Sequence, residues 1–234
     1  NCLDTVGFTP GAGAPSTDIL NAGNMLGKAW IPAECDVSIR PGWFWHENEN
    51  DKVKTPEQLF DLFLKSVGRG ANLLLNVPPD RRGKIHRNDS LSLVGFKKLI
   101  DKNLDKTKME EKGVRVLFDN WDSTVMDVNK RTVEIKDYKQ NACKIDLGEP
   151  RFINTVVVRE NLKYGQRVKS FVIQILDEEN QSHYIQGTTI GYQRILTFDK
   201  VKTASIAIRF LDSFGNPMIN GVDAFLIDEK LVEK

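Results

Sequence analysis

Residues 30–46 read WIPAECDVSIRPGWFWH, which places Glu34, Asp36, Arg40, His46 and three tryptophans within seventeen positions. That mixture suits carbohydrate. Flat aromatic faces cover the apolar side of a sugar ring, while charged groups hydrogen-bond its hydroxyls and fix its orientation. In an extended segment, Glu34 and Asp36 face one side together with Ser38 and Arg40, giving a polar face with an internal charge partner. The same spacing serves structure equally well, with Trp43 and Trp45 as core residues and Arg40 paired to Asp36 or Glu34. Glycoside hydrolysis with retention needs two carboxyl groups across the sugar, about 5 Å apart. Side chains two residues apart on a strand point the same way, so Glu34 and Asp36 are not that pair.

Fewer chemical signals occur elsewhere. Asn76 closes an apolar run at a place where α/β barrels carry functional side chains, although an amide capping the turn into Pro78 fits as well. Asp80, Arg81 and Arg82 read as a solvated turn whose arginines could touch a long glycan, and His86 and His183 read as surface residues. Gly68-Arg69-Gly70 lacks the Lys and Ser/Thr of a phosphate cradle. There is no nucleophile elbow, zinc cluster, dinucleotide fingerprint or calcium loop, and no cofactor or metal is expected. Cys2, Cys35 and Cys143 are too sparse for a disulfide scaffold, with a Cys2–Cys35 bridge or three separate thiols both open. Asn88-Asp89-Ser90 and Asn180-Gln181-Ser182 match the glycosylation sequon.

The elements that must position these residues follow from pattern. Thr55 can cap a helix that Pro56 enters, with Leu59, Phe60, Leu62, Phe63 and Val67 as its apolar face and Gly68 and Gly70 ending it. Ala71 to Val77 is then a continuous apolar run, which reads as a parallel strand covered on both faces. A second helix is expected from about Ser90 to Ile100. Asp101 through Lys112 is almost wholly charged or polar, and the domain boundary is placed there. Beyond it, Val114–Phe118, Cys143–Leu147, Phe152–Val158, Val168–Leu176, Ile195–Phe198, Ala204–Phe210 and Val222–Ile227 read as strands of an antiparallel β-sandwich. Residues 1–29 show no durable periodicity and read as an active-site loop or as chain separated from its context.

Composition narrows the partners. Thirty-three basic and 32 acidic side chains nearly cancel, which argues against a dedicated nucleic-acid surface. No apolar run is long enough to span a bilayer, and no signal peptide is visible before Asn1.

The block from Trp30 to His46 resembles a signature of glycoside hydrolase family 29, the alpha-L-fucosidases, and the resemblance continues through SVGRGANLLLNVPPDRRGKIHRND, residues 66–89. FINTVVVRENLKYGQRVKSFVIQI, residues 152–175, and GTTIGYQRILTF, residues 187–198, look like the C-terminal sandwich of that family. The resemblance implies an α/β plus all-β chain: residues 1–105 as the C-terminal part of a (β/α)8-like barrel, then residues 113–234 as a β-sandwich of the galactose-binding, discoidin-like kind. It implies the subgroup preferring alpha-1,3- or alpha-1,4-linked fucose, fucosylated glycans as substrate, and a secreted, lysosomal or periplasmic location. The family works with an Asp nucleophile and a Glu acid/base, and the resemblance places neither in this chain. What it places here is part of a pocket wall: Glu34, Arg40, Trp43, Trp45 and His46 as substrate-binding residues. Many relatives carry Tyr where Trp45 stands. The competing readings are a non-catalytic carbohydrate-binding protein with a glycan-binding sandwich, and a sandwich that only braces the barrel.

Overall fold

The computed structural model describes residues 21–27, 30–105, 115–118, 132–140 and 142–232, the strand at 115–118 by its backbone alone. The first helix, α1 (Pro56–Lys65), starts as its sequence predicts. The Thr55 hydroxyl accepts from the Gln58 N–H while the Gln58 side chain accepts from the Thr55 N–H, and Pro56 sits in the first turn. A short turn at Val67–Arg69 closes on Gly70, whose φ of 81° is a conformation that glycine adopts without strain. The chain then enters β2 (Asn72–Asn76), which pairs in parallel with β1 (Glu34–Ser38), Glu34 opposite Asn72 and Ser38 opposite Asn76.

The expected parallel pairing is present, but the expected cover on both faces is not. Leu74 of β2 is 49% exposed, because only two strands and the two helices make up the described α/β region. The second helix, α2 (Arg87–Asn103), begins three residues before Ser90. His86 is its cap, with Nδ1 accepting the Asn88 N–H at 3.2 Å, while the Ser90 hydroxyl turns back to the His86 carbonyl. His86 is therefore a structural residue rather than a plain surface one. Asn21 and Ala22 lie in a helical turn, a departure from the irregular opening expected there. The rest of that opening, at 1–20 and 28–29, lies outside the described residues, as do the proposed Cys2–Cys35 bridge and the charged run at 106–112.

The second region is antiparallel. Its strands are β3 (Arg115–Phe118), β4 (Val133–Glu134), β5 (Ala142–Glu160), β6 (Val168–Leu176), β7 (Ser182–Gly187), β8 (Arg194–Ser213) and β9 (Met218–Phe225), in the order β4-β9-β5-β8-β6-β7 with β3 also on β5. Two pairs of expected strands are single long ones. Cys143–Leu147 and Phe152–Val158 are both parts of β5, and Ile195–Phe198 and Ala204–Phe210 both belong to β8. The apolar pattern breaks at Gly148-Glu149-Pro150 because the pairing slips between Asp146 and Arg151 and the extra residues leave the ladder. The first part of β5 pairs with β3 and the end of β8; its last part pairs with β9 and the start of β8. One core, including Ile145, Val156, Phe171, Ile208 and Val222, encloses both parts. The described residues thus form an α/β region and an antiparallel β-region; a barrel segment and a closed sandwich are more specific than these strands define.

The two regions share an apolar seam. Phe60 of α1 is buried with Val157, Ile195, Phe225 and Ile227, and Phe63, Phe96 and Leu99 pack against them. Polar ties flank it: the Asp228 N–H donates to Asn103 Oδ1 at 3.1 Å, and Gln193 Nε2 donates to the Val67 carbonyl. The Arg194 guanidinium and the Thr188 and Thr189 hydroxyls donate to the carbonyls of Asn21 and Ala22. Among the described residues no helix is long and apolar enough to cross a membrane.

Candidate functional site

The parallel strands end side by side at Ser38 and Asn76, and there the aromatic segment leaves β1. Its backbone is held by side chains rather than by a ladder. Ser38 Oγ donates to the Gly42 carbonyl at 2.6 Å, and Asn76 Nδ2 donates to Ser38 Oγ at 3.1 Å and to the Trp43 carbonyl at 2.8 Å. Asn76 therefore ties β2 to the loop; it does not cap the turn into Pro78.

Arg40 is turned inward. Its Nε donates to both Asp89 oxygens at 3.1 and 3.2 Å and one terminal nitrogen reaches Asp89 Oδ2 at 2.8 Å, with neither side chain exposed at all. The same guanidinium donates to Asn50 Oδ1 at 3.1 Å and to the His46 carbonyl at 3.4 Å. Asn88 Nδ2 donates to the Asn50 carbonyl at 2.8 Å. Both alternatives weighed for Arg40 from its spacing, a pairing with Asp36 or Glu34 and a place on an open polar face, are corrected. The partner lies on α2, and β1 ends before Arg40, so strand alternation no longer governs it.

Beyond these ties the side chains of residues 43–46 open outward. Trp43 is 53% and Phe44 77% exposed, far from the core positions one reading gave the tryptophans. Trp45 is half-buried against His86, with ring centroids 6.5 Å apart, and its indole Nε1 is shielded from solvent without a partner among the described residues. Phe44, Trp45, His46, Glu47, Pro79 and Arg81 line a groove of about 500 Å³. Trp43 stands outside it. Glu34 is at the other end of the strand, four residues back from Ser38 and so about 13 Å away, where its carboxylate accepts from Asn72 Nδ2 at 3.1 Å. The five residues singled out from sequence therefore divide: Trp45 and His46 meet at the groove, Trp43 flanks it, Arg40 lies behind it, and Glu34 is remote.

Asp80 is not a free turn residue. The Arg82 side chain hydrogen-bonds its carboxyl and holds it down to about 2, helped by the Arg82 and Lys84 N–H groups, so it stays a paired anion. Arg81 is exposed at the rim. Burial pushes the Cys143 thiol up to about 12, and burial, then the Asp36 charge, raises Cys35, so neither is an activated nucleophile. Among the described residues no cluster of three or more His, Cys, Asp and Glu could hold a metal ion. Sequence reasoning passed over Asn50 and gave Ser38, Asn88 and Asp89 no part in holding the loop. Within the sequon match Asn88-Asp89-Ser90, Asn88 and Asp89 are engaged with the loop. Asn180 of the second sequon lies exposed in the β6–β7 turn.

Comparison with known proteins shows what the chain is similar to. Residues 16–104 match the family model for alpha-L-fucosidase. A relative from Oryza sativa subsp. japonica is 33% identical over 213 residues, 87% of this chain and 41% of that protein. Alpha-L-fucosidase 1 of Arabidopsis thaliana is 30% identical over 216 residues, 87% of this chain and 42% of that protein. The structure of a Ruminococcus gnavus GH29 fucosidase in complex with fucose superposes with a TM-score of 0.70 at 26% identity, covering 90% of this chain and 44% of that one. Over the matched part, the chain is a homologue of the alpha-L-fucosidases of glycoside hydrolase family 29. It spans about two fifths of the length of these curated relatives.

Proposed function

We propose that the parent protein is a retaining alpha-L-fucosidase acting on fucosylated glycans, and that residues 30–105 contribute one wall of its sugar cavity. The observation that carries this is the groove at the C-terminal ends of β1 and β2, where Phe44, Trp45 and His46 are presented by a loop whose backbone is fixed. Aromatic faces there would cover the apolar side of the fucose ring, with the exposed His46 imidazole as a hydrogen-bonding group. Retaining hydrolysis needs a nucleophilic carboxylate and a second carboxyl that protonates the leaving oxygen, then activates water to release fucose. Asp80 is committed to Arg82 and Glu47 lies exposed at the rim; following the resemblance of residues 30–46 to the family signature, we assign both catalytic carboxylates to parts of the parent protein outside this chain. The preference for alpha-1,3- or alpha-1,4-linked fucose, and a secreted, lysosomal or periplasmic location, are part of the same proposal and rest on the signature at residues 30–46. For the β-region, the seam around Phe60 and the Arg194 ties favour a brace over a glycan-binding module.

The 234-residue chain should bind methyl alpha-L-fucoside weakly, in the millimolar range, and release no fucose from an aryl alpha-L-fucoside. Titration by NMR and a colorimetric turnover assay read the two halves separately. Turnover by the purified chain would refute the assignment of the carboxylates, and saturating fucoside without any shift at Trp45 or His46 would refute the cavity wall.

A further inference from the structure

We infer that Arg40 and Asp89 are positioning residues for the groove, acting through the loop backbone and never touching a ligand. The inference rests on the groove being the sugar-facing surface, as proposed above. Residues 44–46 run between two grips. On one side Ser38 and Asn76 hold the carbonyls of Gly42 and Trp43. On the other, Arg40 spans from Asp89 to the His46 carbonyl and Asn50, while Asn88 beside Asp89 holds the Asn50 carbonyl. Apart from the Arg40–Asp89 pair itself, these bonds end on loop backbone or on Asn50, and none is made by the side chain of Phe44, Trp45 or His46.

A buried ion pair is weak evidence of stability, since apolar residues of the same volume often serve as well. This pair's bonds reach past its own charges, and that outward reach is what stability alone does not explain. The residue type follows. Arginine's planar fork holds Asp89 with two nitrogens and still reaches the loop, whereas lysine would neutralise Asp89 from one nitrogen and release the loop.

The test compares Arg40→Lys and Asp89→Asn in the 234-residue chain. The reporter is the indole N–H of Trp45, assigned by its loss in Trp45→Phe; the indole of Trp30, likewise shielded and without a partner among the described residues, is the internal control. In Arg40→Lys we expect solvent exchange at the Trp45 indole to rise at least tenfold, with the Trp30 rate and the urea midpoint unchanged. Asp89→Asn should show the same local loosening plus a lower midpoint. An unchanged Trp45 rate in Arg40→Lys, or equal rises at both indoles, would overturn the inference. Fucoside affinity is measured alongside: a wild-type chain that binds none sinks the sugar-facing reading, while the indole rates still decide whether the pair positions the loop.

Discussion

The α/β region and the β-region solve the problem of burial differently. In the β-region twenty buried residues share one core, and its strands supply their own cover. In the α/β region, Ile39, Leu59, Phe60 and Ala71 are the buried hydrophobic side chains among the described residues, and Phe60 shares its cluster with Val157, Ile195, Phe225 and Ile227 of the second region. Leu74, Leu91, Val94, Trp43 and Phe44 remain exposed. Two parallel strands and two helices do not enclose a core, because a parallel sheet needs cover on both faces. The polar network behind the groove nonetheless holds Arg40 and Asp89 paired with neither side chain exposed. Precision at the loop is thus supplied by hydrogen bonds to a buried ion pair, while the apolar support comes from next door.

The strongest way to break this contrast is to remove one ring from each core. Phe171→Ala and Phe60→Ala should each cost about 3–5 kcal/mol, but with different consequences. Phe171 lies wholly inside the β-region, so its loss should lower the midpoint of the whole chain. Phe60 lies on the seam, so its loss should separate the α/β transition from the β transition. Urea unfolding followed by tryptophan fluorescence in a Trp121→Phe background reads the α/β region, where Trp30, Trp43 and Trp45 lie, and circular dichroism reads the strands. Coincident transitions in Phe60→Ala would show that the seam around Phe60 is not what couples the two regions.

A sharper handle is pH. Burial raises the Glu160 carboxyl from 4.5 to about 7, against the pull of the Val168 and Arg167 N–H groups that bond its Oε1. The folded chain therefore holds this proton more tightly than the unfolded chain. Its contribution is fully present below pH 4.5 and is lost as pH rises through about 7, a change of about 3 kcal/mol. Glu160→Gln should remove that decline, gaining most above neutrality and little at pH 4. Melting temperature followed from pH 4 to 8 tests it; parallel curves for the two proteins would mean that Glu160 does not titrate there. The smallest expected effect is local. Thr55→Ala breaks the capping box of α1 and should cost about 1 kcal/mol, visible as earlier loss of fluorescence with the strand signal unmoved.

Much of this was legible in the chain itself. The Thr55 cap with Pro56 after it, the glycine stop and the strand Val168–Leu176 follow from local rules that tertiary context did not override. Breaks inside β5 and β8 misled because a bulge and a loop have the same local composition, and only pairing with a neighbour distinguishes them. The short strands β4 and β7 were missed for a related reason: Ser182–Gly187 has an exposed face and no apolar run of its own. At the site, residue types pointed to the right loop, but spacing could not assign roles within it.

By itself the sequence determined what is decided within a few residues: where helices start, which stretches are extended, and that an aromatic and charged segment follows a strand. Only the tertiary structure decided that Arg40 faces Asp89, 49 residues away, that Glu34 lies at the far end of β1, and that Trp45 and His46 share a groove with Pro79 and Arg81. The reason is physical. A side chain's partner is chosen by which elements pack together, and the charge on Arg40 could be satisfied at low cost only where burial and a fork of acceptors coincide.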